Sequence, residues 1–172
     1  MFMNIKEVNN LEENVFFEMF KNIFEHSNFI TKLVQKNRPF NDKEDIINNF
    51  LNIFDNLDKT SKINIINSHP DLGDKLKIKN GLTKFSQEEQ AKAGLSECTD
   101  KEFDEFHHLN NMFKSKFNIP FIFAIRGKVK NEIFEEFKNR LKSDNIEQEI
   151  DKSLIQVKKI ATLRINEIIT DE

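Results

Sequence analysis

Apolar residues recur three and four positions apart along most of this chain. Val15, Phe16, Met19, Phe20, Ile23 and Phe24 fall on one helical face, and so do Ile46, Ile47, Phe50, Leu51, Phe54 and Leu57. Phe103, Phe106, Leu109, Met112 and Phe113 repeat the pattern, followed by Ile133, Phe134, Phe137 and Leu141. The last stripe is Leu154, Val157, Ile160, Ala161, Ile165 and Ile168. A period near 3.6 predicts amphipathic helices, and each stripe needs a partner, so the helices are expected to share a core.

Cap signals mark the helix starts. Asn41 precedes Glu44 by three residues, Ser86 precedes Glu89, Thr99 precedes Glu102, and Asn145 precedes Gln148. Each pair has the spacing of a capping box. The helical pattern lapses over residues 70–85, which hold Pro70, Gly73 and Gly81, and again at Asn118-Ile119-Pro120. The apolar run Phe121-Ile122-Phe123-Ala124-Ile125 fits a buried strand or a short buried helix. A lone strand has nothing to pair with, so the expectation is an all-α, single-domain multi-helix bundle over residues 1–172, with an irregular buried segment around 118–126.

Composition narrows the function classes. Of the 172 residues 38% are hydrophobic and 32% charged, the balance of a soluble globular domain. A formal net charge of −3 offers no basic footprint for nucleic acid. No apolar run reaches the ~18 residues of a membrane span, and the start of the chain lacks a secretory pattern. There are 18 Phe but no Tyr or Trp, which excludes tyrosine chemistry. The single Cys, Cys98, forms no internal disulfide and is too little for a thiolate metal site. The expectation is a cytoplasmic protein with no metal and with no membrane or nucleic-acid partner.

Few residues can carry chemistry. His69 precedes Pro70, whose ring disfavours helical angles at His69. The helix containing Ile63, Ile65 and Ile66 should therefore end near Ser68, leaving an imidazole at a helix-to-loop junction. Two roles fit: a helix-end residue favoured by the local dipole, or a general acid or base facing a cavity. Ser86-Gln87-Glu88-Glu89-Gln90 reads as a plain capping box, or as a helix start whose amides, carboxylate and side-chain amide hold a polar ligand. His107-His108 reads as a solvated face, because adjacent helical residues diverge. His26 follows an aromatic stripe as a helix-end candidate. Arg126 fits a surface anchor or a partner for an acid near a cavity. Arg164 interrupts an apolar stripe, which calls for a buried partner or an anionic ligand.

Taken together these segments resemble the OHCU decarboxylase family, OHCU being 2-oxo-4-hydroxy-4-carboxy-5-ureidoimidazoline. The resemblance rests on Phe24-Glu25-His26-Ser27 with Arg38-Pro39-Phe40, and on His69-Pro70-Asp71-Leu72-Gly73. It continues through Ser86–Gln90 with Ala93-Gly94-Leu95, and through Asn110-Asn111 to Phe117–Phe121 and Arg126-Gly127-Lys128. Val157–Ile160 with Leu163-Arg164 closes the series. Many relatives have Tyr where this chain has Phe near residues 24 and 113, and Gly where it has Asn118.

The resemblance implies an all-α homodimer that converts OHCU to (S)-allantoin and CO2 in urate degradation, without a cofactor. It implies His69 as proton donor and acceptor, with Glu89 beside it in the catalytic set. It implies substrate contacts from Pro70, Ser86, Gln87, Glu88, Glu89, Gln90, Phe121, Ile122, Phe123, Ala124, Ile125 and Arg164. The alternative is a catalytically silent helical interaction module that kept the fold.

Overall fold

The computed structural model describes residues 3–74 and 81–170. Among them are nine α-helices, one 3-10 turn and no β-strand, as the helical periodicity predicts. No helix of the described residues is long and apolar enough to cross a membrane. Contacts gather the chain into two compact units, Met1–Ser68 with Lys158–Glu172, and His69–Val157.

The first unit holds α1 (Ile5–Asn9), α2 (Glu13–Phe20), α3 (Phe29–Gln35), α4 (Lys43–Asp55), α5 (Lys59–Asn67) and the later part of α9 (Ile146–Ile168). Helix α3 packs on α2 and on α4. Stacked phenylalanines build its core: Phe16 on Phe20 at 4.6 Å, and Phe24 on Phe54 at 4.9 Å between ring centroids. Each such ring, fully buried, contributes roughly 1.5–3 kcal/mol through area removed from water. The stripes mispredict one edge, since Val15 is 41% exposed. The start of α4 also differs from the expected Asn41–Glu44 box. Asp42 is the cap, accepting from Asp45 N at 2.8 Å, and Asn41 N donates to the Asp45 carboxylate. An aspartate at that position adds a full charge facing the positive end of the helix.

The second unit holds α6 (Lys84–Lys92), the 3-10 turn Leu95–Glu97, α7 (Asp100–Phe117), α8 (Lys130–Leu141) and the first part of α9. The Thr99–Glu102 capping box forms in both directions. Helix α7 packs on α8 with Phe106 stacked on Phe134 at 4.1 Å, while Met112 faces out at 45% exposure. Phe121 stacks on Phe137 at 3.8 Å and meets the edge of Phe113.

Asn118 ends α7 in the left-handed region, at φ 56°. Asparagine is one of the few side chains that tolerate this geometry, and a glycine suits the same place. The run Phe121–Ile125 that follows is neither helix nor strand, as expected. Side chains rather than a sheet hold its backbone. The Ile122 carbonyl accepts from Arg140 Nη1 at 2.6 Å, and Ala124 N donates to Gln156 Oε1 at 3.0 Å. Arg140 is 3% exposed and pairs with the buried Glu149 at 2.7 Å, with Ser153 Oγ accepting from Nη2.

Candidate active site

Helix α5 closes at Ser68, whose N–H bonds to the Asn64 and Ile65 carbonyls. His69 is the next residue, outside the helix and 9% exposed. The position predicted for it is therefore the one it takes.

The residues after Pro70 are tied down group by group. Asp71 O accepts from Gln90 Nε2 at 3.2 Å, and Gly73 N donates to Gln90 Oε1 at 3.0 Å. Leu72 O accepts from Asn110 Nδ2 at 2.8 Å. The Asp71 carboxylate pairs with Lys114 at 2.6 Å. Gly73 sits at φ 68°, and a Cβ there would lie 2.6 Å from the Phe106 ring. Only glycine satisfies both demands.

Helix α6 starts earlier than the sequence indicates. Thr83 is its cap, its Oγ1 accepting from Ser86 N at 3.4 Å, so Ser86 lies inside the first turn. Thr83 and Ser86 are both good caps. The earlier start puts Ser86, Glu89 and Gln90 on one buried face, at 2%, 9% and 1% exposure. Gln87 faces out and Glu88 is half-buried. Of the five residues expected to meet a ligand, the helical period brings three inward.

Glu89 Oε1 lies 3.5 Å from Arg126 Nη2, with both side chains largely buried. Of the two roles open for Arg126, the structure supplies the acid partner. Consecutive residues of α6 thus reach two separate motifs. Glu89 meets the end of the 121–126 segment, and Gln90 holds the loop that follows His69.

Arg164 has the buried partner that its stripe position called for: Glu25, at 2.8 Å, with the Asn22 carbonyl at 2.9 Å. His26 is exposed at φ 48° with Nε2 3.9 Å from Glu25. His107 and His108 are exposed, and His107 Nε2 meets Asn111 Nδ2 at 3.1 Å. Among the described residues no group of three or more His, Cys, Asp or Glu is gathered to hold a metal ion.

Sequence reasoning named Asn110 only within the family resemblance and gave it no role, and it passed over Arg140 and Gln156. Asn110 and Arg140 had a readable signal. Each is a polar residue at a stripe position, Asn110 four after Phe106 and Arg140 three after Phe137. Such interruptions mark a buried side chain with a fixed partner.

A family model described as OHCU decarboxylase matches residues 9–166. The uric acid degradation bifunctional protein of Bacillus sp. (strain TB-90) is 36% identical over 96% of this chain, which spans 32% of that longer protein. A 2-oxo-4-hydroxy-4-carboxy-5-ureidoimidazoline decarboxylase of Xenopus laevis is 32% identical over 99% of this chain and 97% of its own length. The crystal structure of an (S)-allantoin synthase shares the fold, with a TM-score of 0.76 at 22% identity over 98% of this chain and 54% of that one.

Proposed function

This chain belongs to the OHCU decarboxylase family, and we propose that it removes CO2 from OHCU in urate degradation by acid–base catalysis at His69, with no cofactor. The observation that carries the mechanism is the pair Glu89–Gln90. One residue reaches Arg126 beside the Phe121–Ile125 segment, and the next grips the Asp71–Gly73 loop behind His69.

The chemistry sets three demands. The bond from the ring carbon to its carboxylate breaks and CO2 leaves. The electron pair forms a double bond to the ureido-bearing carbon, and the ring imine nitrogen takes a proton. The hydroxyl then loses its proton while the ureido-bearing carbon gains one, so the net reaction consumes one proton and yields allantoin. His69 moves the protons, since an imidazole donates and accepts near neutral pH. Protonation from one face sets the (S) configuration.

Glu89 and Ser86, on the buried face of α6, hold the ureido group and ring, and Pro70 packs against them. Gln90 spends its amide on the loop, so its part is indirect. In the Phe121–Ile125 segment the Ile122 carbonyl and Ala124 amide are already bonded. The Ile125 carbonyl accepts from Lys128 N, so the N–H groups of Phe121, Phe123 and Ile125 are the ones that serve the ring carbonyls. Apolar walls from this segment exclude water and favour neutral CO2 over the carboxylate.

The reading carries with it a cytoplasmic homodimer acting as one catalytic domain. Supporting an assembly, Phe29 and Leu33 lie four apart on α3 and are 41% and 42% exposed. Light scattering on the purified chain tests the dimer.

The test of function is turnover of freshly generated OHCU, followed by circular dichroism of the allantoin formed. The expected result is (S)-allantoin at a rate above the spontaneous one, with loss of at least about 100-fold in His69→Asn. Racemic product at the spontaneous rate would favour the silent interaction module.

A further inference from the structure

We propose that Asn110 is a positioning residue for the His69 imidazole. The inference rests on the acid–base reading of His69 and adds what holds that side chain in place.

A catalytic group at the end of a helix, followed by a proline, is poorly held by local structure. Pro70 has no N–H to give, and residues 71–74 belong to no helix. Their order comes from side chains of α6 and α7. Three consecutive residues, Asp71, Leu72 and Gly73, each place a backbone group on a buried amide side chain. Gln90 takes the outer two and Asn110 the middle one. At 1% and 3% exposure the two amides exchange little with water.

Asn110 also bears a cost that points to its purpose. Its Oδ1 is buried and takes no hydrogen bond among the described residues. A buried acceptor without a donor destabilises the fold, and an apolar residue of similar shape would avoid it. The asparagine therefore serves its Nδ2 end, the donor that fixes the Leu72 carbonyl three residues after His69. Lys114, one helical turn along the same face, adds a second hold through the Asp71 carboxylate. A loop registered in this way keeps the imidazole within the narrow range of positions that proton transfer tolerates.

The test uses Asn110→Leu and Asn110→Asp in the full-length chain. Leucine removes the unsatisfied acceptor but leaves the Leu72 carbonyl without its donor, so one unpaired group replaces another and stability should change little. Aspartate keeps the shape and loses the donor. Expected is a fall in kcat of about 10- to 100-fold with KM within about twofold. The imidazole resonance of His69, identified as the one missing from His69→Asn, should shift in both variants. Thr31→Val, which removes the buried hydroxyl bonded to the Phe20 carbonyl, controls for lost stability and should leave kcat unchanged. Wild-type kcat in Asn110→Leu, or an unmoved His69 resonance, overturns the proposal. Wild-type kcat in His69→Asn would instead overturn the acid–base reading, while the resonance still judges what Asn110 does to the loop.

Discussion

Arg164 and Glu25 form a buried ion pair, Nη1 to Oε2 at 2.8 Å, with side chains 1% and 0% exposed. Removing one member leaves the other charge buried, which costs about 3–5 kcal/mol. Arg164→Met and Glu25→Gln should each lower the urea midpoint strongly. Arg164→Met combined with Glu25→Leu should recover much of the loss, because no charge is left stranded. A rise in KM for the folded Arg164 variant, absent from the Glu25 variant, would mark a contact of Arg164 with substrate.

Gly73→Ala should damage stability and turnover together. The added Cβ meets the Phe106 ring at 2.6 Å, at a φ of +68°. Overpacking of this kind costs about 1–3 kcal/mol, and a side chain at positive φ about 1–2 kcal/mol more. Thermal denaturation reads the first effect and kcat the second. A thermal midpoint equal to wild type would show that Phe106 gives way.

Acid should erase the contribution of Glu102. The Thr99 N–H and the Lys130 ammonium hold its carboxyl below the ordinary value of 4.5. A carboxyl with a lower pKa in the folded than in the unfolded state binds fewer protons when folded. It stabilises the fold above the unfolded value and loses that effect as pH falls through the folded one. Glu102→Gln should thus be less stable than wild type at neutral pH. The gap should close as pH drops below 4.5, as denaturation midpoints across pH would show.

Cys98 should react slowly with alkylating reagents. Burial pushes its thiol up, outweighing the attraction of Lys130, so little thiolate exists at neutral pH. Cys98→Ala should leave kcat unchanged. Alkylation as fast as that of a free thiol peptide would contradict the burial.

The all-α class and the end of α5 at Ser68 could be read in the chain because they follow from local rules: a 3.6-residue period, and a proline one residue past His69. The start of α6 could not. Thr83 and Ser86 are comparable caps, and what separates them is the burial of Ser86, Glu89 and Gln90 on a single face. Arg126 and Arg164 stood out as cations beside apolar residues, yet their partners Glu89 and Glu25 lie far away in sequence. No spacing rule links them. The same holds for Arg140 on the Ile122 carbonyl, which needed the path of the irregular segment to be known.

The phenylalanine stacks of both units have a practical consequence. With 18 Phe and neither Tyr nor Trp, the protein is nearly transparent in the near ultraviolet. Its concentration must be measured by backbone absorbance or amino-acid analysis. In exchange, the fading of a conjugated substrate and the optical activity of its product can be watched against an almost blank protein background.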